Sequence, residues 1–212
     1  MIYKSIFREQ EYKLVSQLNL KGKILDVGGN SKSGYHELIK GEHEFTVINL
    51  DPVCEPNFFV DIEKKFPFDD NSFNHSICFC VLEHVYEFEN AFSEQVRCVK
   101  SGGKIVVAAP FMHHIHGSPD DYLRYTSSAY KRMAEKFNCE IESITQIGNG
   151  FFSLCFQSIG FGIPTTYLQF GIMKICVALD YFFNKISKNY RRLTEWLPLG
   201  YFVVFKKNSP KG

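Results

Sequence analysis

The chain has 212 residues and a formal net charge of +1, and 45% of its residues are hydrophobic while 22% are charged. This composition is typical of a globular protein with a sizeable core and argues against intrinsic disorder. The near-neutral charge argues against nucleic acid as a partner, because proteins that bind a duplex usually carry a basic excess.

The cysteines and the N-terminal segment indicate a cellular compartment. The seven cysteines are odd in number and contain no CxxC pair, so neither a disulfide framework nor a zinc ribbon is predicted. The N-terminal stretch MIYKSIFREQEYKLV carries charges throughout and lacks an apolar core of signal-peptide length. We therefore expect reduced thiols in a cytoplasmic protein.

Hydrophobic periodicity predicts helices and strands that alternate through most of the chain. The predicted elements are, in chain order, a helix over 6–20, a strand over 23–27, a helix over 35–40, strands over 45–50, 58–60 and 76–81, a helix from 88 that ends at Gly102 and Gly103, a strand over 104–109, a helix over 127–137, and strands over 141–147 and 201–205. This alternation predicts an α/β fold with a doubly wound, mostly parallel sheet that helices cover on both faces. Ligands of such sheets bind beyond the carboxyl ends of the strands, so the residues that follow each strand are the candidates for function.

A glycine turn follows the first predicted strand, in the stretch ILDVGGNSKSGYHEL. Gly28 and Gly29 allow a tight turn and close approach of the backbone to a ligand, and the N–H groups of the helix start beyond them suit an anion. Asp51 closes the second strand, where a carboxylate can accept hydrogen bonds from both hydroxyls of a ribose. Two adenosine cofactors fit this pattern, a nicotinamide dinucleotide and S-adenosyl-L-methionine. The dinucleotide fingerprint GxGxxG is not met, because Asn30 and Ser33 stand where its second and third glycines are required.

Five motifs in series resemble those of the class I S-adenosylmethionine-dependent methyltransferases. They are ILDVGGN, VINLD, FFVDIEKKFPFDDNSFN, SICFCVLEHV and RCVKSGGKIVVAAPF, and they lie within residues 23–111. The resemblance implies a Rossmann-like sheet of seven strands with an antiparallel last strand, and S-adenosylmethionine as cofactor. It also implies one methyltransferase domain over 1–212, with a cofactor-binding core at 20–147, an apolar helical insertion at 148–198 and the final strand at 199–207.

The resemblance assigns cofactor contacts to residues at the ends of the first four strands. In chain order these are Asp26, Gly28, Gly29 and Asn30 in the loop around the methionyl part and the ribose, Asp51 and Pro52 at the ribose hydroxyls, Asp61 and Ile62 at the adenine, and Leu82, Glu83 and His84 near the reacting methyl group. Asn30 departs from the family pattern, which often has glycine there. Asparagine tolerates left-handed backbone geometry better than most residues, so we expect the turn to be kept.

The segment after the fifth predicted strand, PFMHHIHGSPDDYLRYT, resembles a segment of bacterial methyltransferases that are encoded with cell-surface polysaccharide genes. The shared pattern is H-G-x-P-x-D-Y-x-R-Y-T. This second resemblance implies a small-molecule or glycan substrate, and transfer of a methyl group to a hydroxyl of a sugar or surface-glycan intermediate of the O-antigen or capsule type.

Histidines in this segment are candidates for the chemistry, since a sugar hydroxyl reacts well once a base takes its proton and histidine titrates near neutral pH. We predict His116 as the base, oriented by Asp121, with His114 as a further catalytic histidine. The predicted substrate contacts are His113, Arg124 as a bidentate clamp for an anionic group, and Tyr122 and Tyr125 as faces for a sugar ring. Each histidine alone can instead be structural, and Asp121 with Arg124 can form a helix-start ion pair. No acid or cysteine is evidently placed to complete a metal site with the histidines, so no bound metal is predicted.

Residues 143–173 contain no charged side chain. A membrane-spanning helix is not predicted there, because Gly160, Gly162 and Pro164 interrupt the apolar run. We expect two inserted helices, and four roles remain open for residues 151–190: extra packing on the sheet, a lid over the active site, a homodimer interface, or peripheral contact with the inner face of the membrane. The last role suits the cations that follow, which are Lys185, Lys188, Arg191 and Arg192.

Three functions remain open at this point. The leading hypothesis is methyl transfer to a hydroxyl of a sugar or surface-glycan intermediate. The second keeps the cofactor and changes the acceptor to a small molecule or lipid that is methylated at oxygen, nitrogen or carbon. The third is a catalytically silent scaffold, although the presence of Asp26, Asp51 and Asp61 argues against a total loss of cofactor binding.

Overall fold

The computed structural model describes residues 5–117 and 119–209, and its strands and helices alternate along most of the chain. The strands are β1 (Gly22–Val27), β2 (His43–Asn49), β3 (Phe58–Phe59), β4 (Phe73–Phe79), β5 (Val99–Pro110), β6 (Cys139–Ile147) and β7 (Gly200–Lys207). The helices are α1 (Ile6–Val15), α2 (Phe88–Cys98), α3 (Ser127–Lys136), α4 (Phe151–Ile159), α5 (Thr166–Ile186) and α6 (Lys188–Glu195). Short 3-10 turns follow β2 at Pro52–Cys54 and β4 at Leu82–His84.

Within the described residues the seven strands form one sheet in the order β3-β2-β1-β4-β5-β7-β6. The first five strands pair in parallel, whereas β7 lies antiparallel between β5 and β6. This confirms the predicted α/β class, with a doubly wound, mostly parallel sheet, an antiparallel last strand and a helical insertion before it. The chain builds outward from β1 to β3 and then continues with β4 on the other side of β1. The topological switch point therefore lies between β1 and β4, where a ligand crevice is expected at the carboxyl ends of the strands.

Alternate residues along the strands face two separate cores, one on each side of the sheet. Leu25 belongs to the core that contains Phe92 of α2 and Tyr130 of α3. Its neighbour Ile24 belongs to the opposite core, which contains Met173 of α5. Helices α2 and α3 thus cover one face, and α1 with part of the insertion covers the other. Burial of these apolar side chains is the main force that holds the layers together.

The helix predicted over 35–40 is wrong, because this stretch forms a 3-10 turn at His36–Leu38 and then becomes extended. The N–H of Lys40 donates to the carbonyl of Leu18 at 3.0 Å, and the carbonyl of Lys40 accepts from the N–H of Leu20 at 2.9 Å. These bonds form a parallel bridge between Asn19 and Lys40. A bridge needs extended backbone, so it prevents the helix that the local pattern indicates.

Helix α2 ends at Cys98 rather than at the predicted Gly102 and Gly103. The next residue, Val99, already pairs with Phe73 of β4, and the register of the two strands then shifts. Gly102 takes a φ of 78° within this irregular start of β5. The glycines therefore mark an irregularity in a strand and not the end of a helix.

The stretch 151–173 contains α4 and the start of α5, which confirms the two expected helices, and α6 follows them within the insertion. Ser187 ends α5 and begins α6, since its hydroxyl oxygen accepts the N–H of Tyr190 at 3.2 Å. Phe156 of α4 and Met173 of α5 are buried in the second core, so part of the insertion packs on the sheet. Among the residues that the structure describes, no helix combines the length and the apolar character needed to cross a bilayer.

A buried carboxylate fastens the three inserted helices to one another. Asp180 of α5 is fully buried and accepts hydrogen bonds from the N–H groups of Phe152 and Ser153 at 2.9 and 2.7 Å. It also accepts the hydroxyl hydrogen of Tyr190 on α6. The charge of Asp180 faces the first turn of α4, where unpaired N–H groups and the helix dipole favour an anion.

Candidate active site

The turn after β1 leaves no room for side chains on its two glycines. Gly28 has a φ of 71°, and a Cβ on it would lie 2.5 Å from Cγ1 of Val81. A Cβ on Gly29 would overlap the carboxylate of Asp26. The side-chain amide of Asn49, at the end of β2, donates to the carbonyls of Gly28 and Gly29 at 3.0 and 2.8 Å. The turn is therefore fixed in shape and requires glycine at both positions.

Asp26 lies beneath this turn and is fully buried. Its Oδ2 accepts the hydroxyl hydrogen of Tyr35 at 2.7 Å and lies 2.6 Å from Nε2 of His36. Burial, together with the charge of Asp26, raises the pKa of Tyr35, which keeps that hydroxyl protonated as a donor. The other oxygen, Oδ1, is buried without a hydrogen-bond partner in the described structure. Asp26 supports the turn from below and leaves one acceptor unsatisfied.

Asn30 keeps the turn without left-handed geometry. Its side-chain oxygen accepts the N–H of Lys32 at 2.8 Å, and its carbonyl accepts the N–H of Ser33 at 2.9 Å. Among the described residues other than glycine, positive φ values occur at Glu55, Asn71, Cys80 and Asn138. The departure from the family pattern at Asn30 is therefore accommodated by local hydrogen bonds.

Asp51 follows β2 at the carboxyl edge of the sheet and is exposed. Its Oδ1 accepts the N–H of Val53 at 2.9 Å, which caps the 3-10 turn that begins at Pro52. The proline fixes its own backbone φ at the start of this turn. Asp51, the residue predicted to bind the ribose, is thus held in place by the turn that it caps, and its side chain faces solvent.

Asp61 and Ile62 follow β3 on the same edge. Asp61 accepts the N–H of Glu63 at 3.1 Å and forms an ion pair with Lys64 at 2.9 Å, and the hydrogen bond from Lys64 lowers the pKa of Asp61. The side chain of Ile62 packs into the core. This leaves the backbone of Ile62 as the part that can meet an adenine ring.

The residues after β4 are covered by the loop that follows β5. Leu82 and Glu83 are fully buried. The N–H groups of Tyr122 and Leu123 donate to the carbonyl of Glu83 at 2.8 and 3.2 Å, and the hydroxyl of Tyr125 donates to the carbonyl of Leu82 at 2.9 Å. The loop is therefore fastened to the tip of β4, and the side chain of Leu82 belongs to the core beneath the pocket rather than to its open wall.

Two predicted substrate contacts are used inside the protein instead. Tyr125 is buried, with its ring centroid 5.3 Å from that of Phe88 and 5.6 Å from that of Tyr130, so it cannot offer a face to a sugar. Arg124 forms a bidentate pair with Asp121, and its role as a clamp for an anionic substrate stays a prediction. Both side chains hold the loop in the described structure. The predicted contact Tyr122 remains exposed.

Four histidine rings form a row at the carboxyl edge of the sheet. From the tip of β4 outward the row contains His84, His116, His113 and His114, with successive ring centroids 4.9, 4.7 and 4.2 Å apart. Burial lowers the pKa of His113 and of His116, which favours the neutral imidazole at neutral pH. The structure thus brings together side chains that the sequence offered as separate candidates.

Asp121 lies against His116 near the centre of the row. The backbone N–H of His116 donates to Oδ2 of Asp121 at 2.9 Å, and Nδ1 of His116 lies 3.4 Å from the same oxygen. The guanidinium of Arg124 beside Asp121 holds the pKa of that carboxyl well below its usual range. Asp121 is therefore an ionised acceptor that faces the Nδ1 side of His116.

Glu83 completes a cluster with His84 and His116 that the sequence did not reveal. Oε1 of Glu83 lies 3.7 Å from Nε2 of His84 and 4.0 Å from Nε2 of His116. Burial raises the pKa of Glu83 to about 8. The premise that no acid stands beside the histidines was wrong. The 3-10 turn at Leu82–His84 places Glu83 and His84 together at the tip of β4, facing His116 from the loop after β5.

A cavity of about 100 Å³ lies at the outer end of the row, between the loop after β5 and the insertion. Its polar lining includes His113, His114, Gln157 of α4 and Gln169 of α5. Gln157 is buried, and its side-chain oxygen has no hydrogen-bond partner in the described structure. A buried acceptor without a partner therefore belongs to a residue that lines the cavity, beside two histidines.

Three residues of the site were missed by the sequence analysis. Asn49 is signalled only by a polar residue at the end of an apolar strand, within the motif VINLD. Tyr35 was assigned to a helix that does not form. Gln157 carries no local signal, because an isolated glutamine in an apolar helix becomes informative only when its neighbours in space are known.

The residues at the switch point fit an adenosine cofactor with a cationic methionyl part. Glycine is required at positions 28 and 29 to form this turn at the end of β1, since a side chain at either position would collide with the protein. Asp51 presents an exposed carboxylate suited to ribose hydroxyls. The orphaned Oδ1 of Asp26 is an acceptor that the protein itself does not satisfy.

Comparisons with known proteins agree with this geometry. A family model described as a methyltransferase domain matches residues 26–107. No curated protein sequence matches the chain significantly. Among solved structures, the chain is similar to the [4+2]-cyclase SpnF, with a TM-score of 0.60 and 16% identity over 94% of this chain and 80% of that one.

Two further structures share the fold. A putative methyltransferase of Haloferax volcanii, in complex with the activator Trm112, has a TM-score of 0.60 and 13% identity, covering 98% of this chain and 90% of that one. Geranyl diphosphate C-methyltransferase from Streptomyces coelicolor has a TM-score of 0.58 and 14% identity, covering 94% and 79%. At such identities the similarity shows the fold alone, and the activity rests on the family match. That match spans β1 to β5 of the sheet, and on this ground the protein is an S-adenosylmethionine-dependent methyltransferase.

Proposed function

We propose that this enzyme methylates a hydroxyl of a sugar or surface-glycan intermediate of the O-antigen or capsule type. The observation that carries this proposal is the polar cavity at the end of the histidine row. The orphaned oxygen of Gln157 needs a hydrogen-bond donor there, and a sugar hydroxyl is such a donor. The resemblance of residues 110–126 to methyltransferases encoded with polysaccharide genes supports the same acceptor class.

The proposed division of the site follows the order of the strands. When bound, S-adenosylmethionine supplies an electrophilic methyl group on its sulfur. The turn at Gly28 and Gly29 is proposed to hold the methionyl part and the ribose, Asp51 the ribose hydroxyls, and the residues after β3 the adenine. This arrangement directs the methyl group toward the tips of β4 and β5, where the histidine row begins.

The histidine row is proposed to activate the acceptor hydroxyl. His114 and His113 line the cavity that would receive the acceptor. His116 stands between them and the tip of β4, with Asp121 on its Nδ1 side. Neutral imidazoles at this position can assist the loss of the hydroxyl proton while the acceptor is held in line with the methyl group.

The acceptor class is tested by transfer of a labelled methyl group to free sugars, nucleotide sugars, lipid-linked sugars, and non-glycan alcohols and amines. We expect label in a methyl ether of a glycan acceptor. Gln157→Leu is expected to raise the KM for that acceptor about tenfold, because one hydrogen bond to the substrate is lost. The matched replacement Gln17→Leu, at an exposed position of α1's C-terminal flank, is expected to change neither constant. Labelled product from amines or non-glycan alcohols alone would contradict the proposal.

The outward face of α5 is proposed to rest on an anionic membrane surface, where a lipid-linked glycan would be found. This face exposes a stripe of large apolar side chains, including Tyr167 (83% exposed), Ile175 (60%) and Phe182 (54%). The cations at its C-terminal end, which are Lys185, Lys188, Arg191 and Arg192, are exposed and suit anionic lipid headgroups. Apolar and aromatic side chains bordered by cations are typical of helices that lie in a membrane interface.

Vesicle pelleting tests this surface. The enzyme is expected to sediment with phosphatidylcholine vesicles that contain phosphatidylglycerol and to remain in solution with phosphatidylcholine alone. Replacing Arg191 and Arg192 with alanine is expected to weaken binding about tenfold or more, whereas the same replacement of Lys131 and Arg132 on α3, at the opposite face of the sheet, leaves it unchanged. Absence of sedimentation together with a dimer in analytical ultracentrifugation would assign the stripe to a homodimer interface and contradict membrane contact.

A further inference from the structure

We propose that Glu83, His84 and His116 form a binding site for a divalent transition-metal ion at the tips of β4 and β5. One ligand atom from each side chain lies within 4.8 Å of the others. The three residues come from two segments, the turn after β4 and the loop after β5, which the hydrogen bonds from Tyr122 and Leu123 to the carbonyl of Glu83 hold together. The site is therefore built by the fold and not by a single flexible loop.

The two imidazoles are oriented as metal ligands are. Nδ1 of His84 lies 2.6 Å from the carbonyl oxygen of Asp120. Nδ1 of His116 lies 3.3 Å from the carbonyl oxygen of His114 and 3.4 Å from Oδ2 of Asp121. Because all of these partners are acceptors, each Nδ1 carries the hydrogen and each Nε2 keeps its lone pair. Both Nε2 atoms face Oε1 of Glu83.

The carboxylate of Glu83 gives a separate reason to expect a cation at this site. Its side chain is fully buried, and neither carboxylate oxygen has a hydrogen-bond partner in the described structure. The distances of 3.7 and 4.0 Å to the imidazole nitrogens are too long for direct hydrogen bonds. A buried carboxylate without partners is costly, and Arg124, the nearby cation, is paired with Asp121. A cation bound between the three side chains would satisfy all of them.

The ligand set indicates which kind of cation fits. Two imidazole nitrogens and one carboxylate suit Mn²⁺, Fe²⁺, Co²⁺ or Zn²⁺, whereas Mg²⁺ and Ca²⁺ prefer oxygen ligands alone. Three protein ligands leave coordination positions open for a hydroxyl of the acceptor. His116 would then act as a ligand of the cation rather than as the base.

This role deepens the proposed function and rests on it. The O–H bond of the acceptor breaks and its proton leaves, while the O–CH₃ bond forms and the S–CH₃ bond of the cofactor breaks. The products are a methyl ether and S-adenosylhomocysteine, and the proton is released to solvent. The cation makes the hydroxyl more acidic by withdrawing electron density from its oxygen.

Direct binding of Mn²⁺ to the full chain, after treatment with a chelator, tests the site through loss of the electron paramagnetic resonance signal of free Mn²⁺. We expect about one ion per chain. Glu83→Gln, His84→Ala and His116→Ala are each expected to weaken binding about 100-fold, whereas His113→Ala, in the same row but outside the cluster, changes it less than about threefold. Mn²⁺ is also expected to raise the unfolding temperature of the unsubstituted chain and not that of Glu83→Gln, which keeps the shape of the side chain.

The outcomes separate this inference from the proposed function. No binding by the unsubstituted chain, or binding that Glu83→Gln retains, overturns the metal site. Glycan methylation that is unchanged by chelator in a chain that binds no Mn²⁺ leaves the proposed function standing without the metal. Specific Mn²⁺ binding in an enzyme that methylates no glycan supports the site and contradicts the proposed acceptor.

Discussion

Gly29→Ala is expected to abolish cofactor binding at concentrations that saturate the unsubstituted enzyme and to lower the free energy of unfolding by about 3 kcal/mol. The added Cβ would overlap the carboxylate of Asp26. Asp26 cannot move aside, because it is fully buried and bonded to Tyr35 and His36. The turn must then rise into the space proposed for the ribose and the methionyl part.

Calorimetry with S-adenosylmethionine and S-adenosylhomocysteine measures the loss of cofactor binding, and denaturant unfolding measures the change in the free energy of unfolding. Gly171→Ala is the matched control, since its Cβ would meet open space on α5. That variant is expected to bind the cofactor normally and to be more stable by up to about 1 kcal/mol, because alanine favours a helix over glycine. Normal cofactor affinity in Gly29→Ala would refute the placement of the cofactor over this turn.

Replacing His116 with alanine is expected to lower turnover at least about tenfold while the affinity for S-adenosylmethionine stays nearly unchanged. His116 lies between His84 and His113 on the loop after β5, whereas the turn proposed to hold the cofactor follows β1. Its loss removes a side chain that acts on the acceptor, whether through a bound cation or through the proton. Steady-state kinetics with a glycan acceptor measure the turnover, and calorimetry measures the affinity for S-adenosylmethionine.

The control for this variant is His43→Ala, since His43 begins β2 at the opposite edge of the parallel strands. It is expected to keep the turnover of the unsubstituted enzyme. Unchanged turnover in His116→Ala would remove that residue from the mechanism, and a parallel loss of cofactor affinity would instead indicate damage to the fold.

The class of the sheet, and the position of the candidate cofactor residues at the ends of its strands, could be predicted from sequence because each signal is local. An apolar run that ends in an acid or in two glycines, as at Val27 to Gly29, has the same meaning in any parallel sheet. The alternation of strands and helices along the chain likewise predicts a mostly parallel sheet. For this reason the acids after β2 and β3 were found at the expected edge.

The errors arose where a side chain or a peptide group has its partner far away in sequence. The helix over 35–40 is prevented by the bonds of Lys40 to residues near α1. In the same way, the partners of Arg124 and Tyr125, which are Asp121 and the carbonyl of Leu82, become evident only when the loop is folded onto β4. The cluster around Glu83 was missed for the same reason, since the distance to His116 is a product of the fold.

The buried carboxylate of Asp180 links the helix that lines the cavity to the helix that carries the exposed apolar stripe. Asp180 joins the start of α4 to α5 and, through Tyr190, to α6. The wall of the cavity belongs to α4 through Gln157, and the outer stripe belongs to α5. Because one buried carboxylate bonds both helices, we expect a displacement of α5 to move Gln157 and so to change the shape of the cavity.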